Sequence, residues 1–340
     1  MVEVTRGETV ESRHRGSIAV VHASGELVAS LGDPHALTFI RSSAKPFQLA
    51  PFVVSGRFDR YDFPSPVEAL AIMAASHAGE DRHARTVQTL LRSGGLSREV
   101  LACGTHPPFD RETAERLLRD SEPPSELRHN CSGKHTGMAL HAKAAGWPVE
   151  TYWQPDHPIQ QLAQDALAAA SGMDRDAIVC ATDGCGVVTF GVPLDRLALA
   201  FARLADPAAV TDGALGEALR RIRDAMMAHP ELVAGERRQF DTALMRALPR
   251  RVVSKVGAEG VQAIGLLDGG EGARGLAIKI EDGDAARRAR STATLAALQQ
   301  LGVLDEETAG SRSLAPFASP PILDPRGDPA GEVRTAFRLG

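Results

Sequence analysis

Apolar, β-rich segments stand near both ends of this 340-residue chain, and most of what lies between reads as helix. That order constrains the fold more than any other feature. Val2–Arg6, Ser17–Ala23 and Glu26–Leu31 read as strands, the last two joined by the turn residues Ser24-Gly25. Val261–Leu267 and Gly275–Glu281 are apolar and β-rich, separated by Asp268-Gly269-Gly270. A strand with an apolar face must bury it against something, so early and late strands are expected to pair in one antiparallel sheet. Between them, Arg41–Ser55 opens with two serines and Pro46, a helix entry. Val67–Ala75, Glu80–Arg92, Asp110–Asp120, a segment ending near Ala145, Pro158–Ala170, Leu194–Leu204 and Gly213–Ala228 also read as helices. Two short strands, Ala177–Ala181 and Val187–Val192, flank the sharp turn Thr182-Asp183-Gly184-Cys185-Gly186. A last helix is expected over Ala285–Leu301. The expected class is α+β: an antiparallel sheet from N- and C-terminal strands, carrying a helical insertion at roughly 42–250. One domain over 1–340 is expected, with the Pro- and Gly-rich tail 318–340 draped on it as an extended arm.

Composition removes several function classes. Hydrophobic residues at 43% and charged residues at 24% are globular values and exclude disorder as the dominant state. Lys+Arg is 38 against Asp+Glu 43, a net charge of −5, and aromatics are 4%, a poor match to a nucleic-acid binder. No apolar run approaches the roughly 20 residues of a membrane span. The opening MVEVTRGETVESRHRG carries charges and no apolar core, so no secretory signal is expected and the location expected is cytoplasmic. Cys103, Cys131, Cys180 and Cys185 form no CxxC pair and are expected as thiols. Of 11 histidines, six (His77, His83, His106, His129, His135 and His141) fall in one stretch, which concentrates the polar chemistry there.

Ser42-Ser43-Ala44-Lys45 is an S-x-x-K motif at a helix start. Residues i and i+3 share a helix face, so Lys45 can sit beside Ser42. A lysine desolvated in a pocket loses proton affinity and can take the proton of a serine nucleophile. The plainer reading is a capping serine and a surface lysine, and a register with Ser43 as the active hydroxyl stays open. Lys255-Val256-Gly257 precedes a strand, where S-x-x-K enzymes of the penicillin-recognising type bring a second lysine to the nucleophile. A surface loop fits it equally. Ser76, where an apolar helix ends at Ser76-His77-Ala78-Gly79, is either a second hydroxyl or part of a helix C-terminus with His77 facing the dipole. Cys131 in Cys131-Ser132-Gly133-Lys134-His135 and Cys185 in the Asp183 turn are candidates for a zinc site with His135, His129 or Asp183 nearby. Lys134 joins them only if neutral; two small buried thiols are one alternative, and a nucleophilic Cys131 with a histidine base, which leaves S-x-x-K unexplained, is another. Arg41, next to Ser42, is a natural clamp for the carboxylate of an amino-acid substrate.

The segments SRHRGSIAVV, FIRSSAKPFQ, SHAGEDRH, CGTHPP, HNCSGKHTGM, ATDGCG and KVGAEGVQAIG occur in the order found in the rhizobial-type L-asparaginases (asparaginase II), from about residue 12 to about residue 265. The chain resembles that family, with departures at Thr105, His129 and Val188. The resemblance implies a fold similar to serine β-lactamases and glutaminases and hydrolysis of L-asparagine to L-aspartate and ammonia. It implies Ser42 as nucleophile with Lys45 as its base, and Ser76 with Lys255 as a second Ser–Lys pair. It further implies a metal corner, for Zn2+, at Cys131, Lys134 and Cys185, with His135 and Asp183 touching the substrate. A glutaminase or other small-amide hydrolase and a penicillin-recognising enzyme are the rival activities, and a non-catalytic ligand-binding module is the rival class. A homodimer is expected for an enzyme of this size.

Overall fold

The computed structural model describes residues 1–340. Its strands are β1 (Val2–Arg6), β2 (Thr9–His14), β3 (Gly16–His22), β4 (Leu27–Leu31), β5 (Leu37–Phe39), β6 (Val179–Thr182), β7 (Val188–Pro193), β8 (Val252–Val256), β9 (Val261–Leu266), β10 (Arg274–Ile280), β11 (Pro321–Leu323) and β12 (Pro329–Thr335). Its main helices are α1 (Lys45–Val54), α2 (Pro66–Met73), α3 (Asp81–Ser93), α4 (Arg111–Arg119), α5 (Ser132–Ala145), α6 (Pro158–Ser171), α7 (Leu194–Ala205), α8 (Gly213–Ala228), α9 (Pro230–Val233), α10 (Phe240–Ala247) and α11 (Arg290–Gln300). None is long and apolar enough to cross a membrane.

Early and late strands do pair, in a five-stranded antiparallel sheet of order β4-β3-β10-β9-β8. The class is α+β, as the strand–helix–strand order requires. Every residue of β9 is buried, because helices cover both faces of the sheet. A strand buried on both sides reads as a continuous apolar run rather than as alternation, which is how Val261–Leu266 reads. α7 lies over the face carrying Gly265 and Gly275, opposite each other in register. A Cβ at Gly275 would collide with the Ala198 carbonyl and the Ala202 amide of α7. Glycine there sets how closely helix and sheet approach. α11 takes the opposite face, where its Arg290 reaches Gln262. A single cluster of 85 buried apolar residues joins this sheet to the helical layer.

Two further sheets complete the fold. The three-stranded sheet β5-β7-β6 carries the Asp183–Gly186 turn between β6 and β7. A four-stranded sheet, β11-β12-β1-β2, takes in the tail. The segment 318–340 is thus more than a draped arm: β12 pairs with β1 from Val2 opposite Thr335 to Val4 opposite Val333. Proline and glycine content masked a hairpin whose turn is built by Asp324, which accepts from the amides of Arg326 and Asp328. Thr9–His14 is also a strand, missed because its side chains are polar and β1 alone holds it. The last helix starts at Arg290 rather than Ala285, since the Asp284 carboxylate gathers the amides of Arg288, Ala289 and Arg290 and fixes the helix start there.

Because Gly275 has no room for a side chain, Gly275→Val is expected to destabilise the protein by about 3 kcal/mol, the upper range for overpacking. A urea unfolding midpoint unchanged from the parent protein would show that α7 does not rest on β10 as described.

Candidate active site

The S-x-x-K segment forms a single 3-10 turn, Arg41–Ala44, running directly into α1. The turn is tied to the sheet by Ser43, which is fully buried and donates to the Lys255 carbonyl at 3.2 Å. Ser43 is thus engaged in a bond to β8. Ser42 remains partly exposed. Lys45 is 1% exposed, and its Nζ donates to Ser76 Oγ at 2.8 Å, to the Ala75 carbonyl, and to the Asn130 carbonyl at 3.4 Å. No hydrogen bond joins Lys45 to Ser42 among its contacts; the lysine leans from its own helix toward the end of α2.

Ser76 follows α2, with its amide on the Val233 carbonyl at 2.9 Å. Lys255 is 0% exposed and also donates to Ser76 Oγ at 2.8 Å, and to the Val256 carbonyl at 2.9 Å. Two buried amines from positions 45 and 255 thus converge on one hydroxyl that is itself partly exposed. Burial pulls Lys45 below the ordinary lysine value, with Cys131 opposing. Burial, reinforced by the charge of Lys45, brings Lys255 down to about 7. A lysine in that range exchanges its proton near neutrality, which a solvated lysine does not.

His77 does not serve a helix C-terminus. Ser132 Oγ donates to the Leu127 carbonyl, so the 2.9 Å contact to His77 is a donation from His77 Nε2 to that oxygen. The Gly79 amide donates to His77 Nδ1 at 3.2 Å. His77 therefore locks the Ser76 turn to the start of α5. α5 can come this near because residue 133 is glycine: a Cβ there would strike the Ile72 carbonyl of α2.

That approach brings Cys131, Lys134 and His135 to the site, opposite the Asp183–Gly186 turn. Lys134 Nζ lies 3.0 Å from Cys185 Sγ. A hydrogen bond from Cys185, then the charges of Lys45 and Lys134, hold the Cys131 thiol well below its ordinary value against its burial. The same Cys131 contact and burial raise Cys185. Burial works against the charge on Lys134, but Cys185, Cys131 and Asp183 overcome it and keep the amine above the usual lysine value. Arg41 Nε and Asp183 Oδ1 form a part-buried ion pair at 2.6 Å, and the Gly184 amide also donates to Asp183 at 2.9 Å. Arg41 takes φ of 50°, a left-handed conformation that costs a residue with a side chain of order 1–3 kcal/mol. His135 is fully buried, with Nδ1 2.7 Å from Tyr152 Oη. Tyr152 accepts from the Ala102 amide at 3.0 Å, so its own hydrogen is free for His135 Nδ1. That tautomer leaves the proton on buried His135 Nε2, on the Cys185 side of the ring, where Cys185 is the group that interacts with it.

All ten anticipated residues fall in this region, which is joined from the 41–45 turn, the end of α2, the start of α5, the β6–β7 turn and β8. Tyr152 and Asn130 belong with them and were not singled out. No group of three His, Cys, Asp or Glu side chains converges as a cation cage. The corner instead offers two sulfurs and an amine. As a zinc site it would require both Lys134 and Cys185 to give up protons, and Lys134 is held above the usual lysine value.

No curated protein sequence matches the chain. Among solved structures it is similar to Mglu, with 15% identity and a TM-score of 0.40 over 87% of this chain and 69% of that one. It is also similar to a Bacillus glutaminase (14% identity, TM-score 0.37, 80% of this chain and 85% of that one). A β-lactamase from Burkholderia ambifaria gives 14% identity and a TM-score of 0.41 over 86% of this chain and 96% of that one. In another Mglu structure the chain spans 63% of the other protein's length. The family model for L-asparaginase II matches residues 2–335, nearly the whole sequence, and the chain belongs to the L-asparaginase II family of amidohydrolases.

Proposed function

We propose that this protein hydrolyses L-asparagine to L-aspartate and ammonia through an acyl-enzyme on serine. The observation that carries the reading is the convergence of two buried lysine amines on a partly exposed serine hydroxyl, in a chain of this family. Ser42 attacks the side-chain amide, Lys45 takes its proton, and that proton passes to the leaving ammonia. Water then cleaves the β-aspartyl ester by the same route in reverse. Ser76, bonded to both lysines, links Lys45 to Lys255 and lets the pair share one proton. A second reading, with Ser76 itself as nucleophile, is favoured by its 2.8 Å contacts to both amines, which Ser42 lacks. Arg41 and Asp183 suit an amino-acid zwitterion: each charge of their ion pair matches one end of the substrate backbone. His135, presenting Nε2–H, adds a neutral donor.

Zinc would be held by Cys131, Cys185 and Lys134, and when bound would supply a positive charge that orients the substrate. Loading requires deprotonation of Lys134 and Cys185, so it is expected to strengthen as pH rises.

Ammonia release from L-asparagine is the primary test. Parent protein is expected to turn over, with Ser42→Ala and Ser76→Ala each losing about 10³-fold or more in kcat, as for removal of a nucleophile or its proton relay. Mass spectrometry of acid-quenched reactions places the β-aspartyl adduct on the Ser42 peptide, or on the Ser76 peptide under the second reading. Full activity in both variants would overturn the Ser–Lys mechanism, and turnover of L-glutamine alone would overturn the substrate.

Lys255 must be neutral to accept a proton, and it is protonated below about 7. The acid limb of kcat/KM for metal-free protein is accordingly expected to fall as pH drops through that region. A profile flat from pH 8 to pH 5 would remove Lys255 from the proton path.

Metal analysis of protein dialysed at pH 8 is expected to give about one zinc per chain, lost in Cys185→Ala. Equal zinc in parent and variant would place the metal elsewhere.

A further inference from the structure

Lys255 lies on the edge strand of the main sheet, the place where a strand is least constrained. Its side chain nevertheless has to hold one position, between Ser76 and the Val256 carbonyl. Pairing with β9 fixes only one side of β8, with Lys255 opposite Ala263 and Val256 opposite Gln262. The other side of the strand is held by a carboxylate.

Asp241 stands in the first turn of α10 and is 2% exposed. Its Oδ2 accepts from the Val256 amide at 2.9 Å. Its Oδ1 accepts from Ser254 Oγ at 2.7 Å and from Gln262 Nε2 at 2.8 Å. Gln262 Nε2 also reaches Ser254 Oγ at 3.0 Å, and Gln262 Oε1 accepts from Arg290 Nη1. The bonds fall on Ser254 and Val256, the two neighbours of Lys255. Strand alternation puts the Ser254 side chain on the α11 face and the Lys255 side chain on the opposite face, toward Ser76. Asp241 therefore touches neither hydroxyl nor amine of the Ser–Lys cluster. It holds the strand from behind.

We propose that Asp241 is the positioning residue for Lys255, fixing the backbone on both sides of it through Ser254 and Val256 and so setting where the amine meets Ser76. This rests on the reading of Ser76 and Lys255 as part of the catalytic cluster. A carboxylate is the group that fits: all three partners donate to it, and an amide in its place would turn an N–H toward one of those donors. The network is closed, since Ser254 and Gln262 are fully buried and find each other as well as Asp241. A closed buried network has one arrangement, which is what an edge strand needs if it is to carry a reacting group.

Asp241 also acts on Lys255 through space. The groups facing that amine are Lys45 from α1, Asp241 from α10, Cys131 at the start of α5 and Arg290 from α11, with the neutral Ser76 in contact. Asp241 and Cys131 favour the ammonium, while Lys45 and Arg290 oppose it. Removing the carboxylate charge makes Lys255 lose its proton at lower pH.

The test compares Asp241→Asn, Ser254→Ala and Lys255→Met in metal-free full-length protein, reading kcat and KM for L-asparagine, the pH profile and the urea midpoint. Asp241→Asn is expected to lower kcat about ten- to a hundredfold, the scale of a misplaced catalytic group, with KM within about threefold of the parent. Its acid limb moves to lower pH, which a purely structural defect would not produce. Ser254→Ala keeps the charge and the Val256 bond, so a severalfold loss in kcat with an unmoved limb is expected. Parent kcat in folded Asp241→Asn, or a loss matched by the loss of folded protein with no shift of the limb, would overturn the proposal. If Asp241→Asn does not fold, Ser254→Ala decides, and parent kcat there overturns it. Lys255→Met separates the two levels. An inactive Lys255→Met beside a fully active Asp241→Asn removes the positioning role and leaves the Ser–Lys reading intact. A fully active Lys255→Met removes both.

Discussion

Two lysines buried to 0–1% exposure around one serine hydroxyl are the constraint from which the rest of the site follows. An ammonium taken out of water is strongly disfavoured, and two side by side more so. The fold meets this in two ways at once. Desolvation shifts both amines toward the neutral form, and the sulfur of Cys131, held well below its ordinary thiol value, offsets the positive charge that remains. Carbonyls of Ala75, Asn130 and Val256 take the remaining N–H groups. Amines of lowered proton affinity in contact with a hydroxyl can pass a proton along that contact, and the same physics that makes them hard to bury makes them useful near pH 7.

Assembling that chain requires residues more than 200 positions apart, so the architecture is bound to the chemistry. Pairing of β3 with β10 and of β10 with β9 places β8 at the sheet edge facing the helical layer. Ser43 then ties the S-x-x-K turn to the Lys255 carbonyl, and His77 ties the Ser76 turn to Ser132 of α5. Each tie uses a side chain adjacent to a reacting residue, or within a few positions of it, rather than the reacting residue itself. Asp241, bonded to the neighbours of Lys255, repeats the pattern. Rigidity is supplied from outside the Ser–Lys cluster, leaving Ser42 and Ser76 partly exposed.

Much of this was legible in the sequence because it depends on local chemistry. Apolar runs at the two ends forced the sheet, and S-x-x-K and K-x-G named the amines. What was not legible depends on distance across the fold. The i, i+3 rule puts Lys45 beside Ser42, yet Ser76 and two carbonyls around the end of α2 compete for the same amine and hold it. Ser43 and Ser42 are indistinguishable as letters, and only the fold shows that Ser43 is buried and bonded to β8. Tyr152 sits in an unremarkable Thr-Tyr-Trp segment, and its role appears only when Ala102 and His135 meet its hydroxyl. The strand Thr9–His14 escaped because it is polar, and the 318–340 tail because proline and glycine conceal a hairpin that β1 completes.

Under the proposed reading, the Arg41–Asp183 pair would select an amino acid through its two charges. Arg41 holds a left-handed backbone while its guanidinium lies on Asp183 Oδ1, and the Gly184 amide donates to the same oxygen. Burial alone would raise Asp183, but Lys134, Arg41 and the Gly184 amide together keep it ionised more readily than an ordinary aspartate. An α-ammonium and an α-carboxylate arriving together can exchange partners with this pair without leaving either protein charge unsatisfied. A ligand with only one of the two charges strands the other in a part-buried position, at the desolvation cost of an unpaired ion. On the proposed function, discrimination for a free amino acid over a simple amide would come from the penalty on the wrong ligand as much as from contacts to the right one.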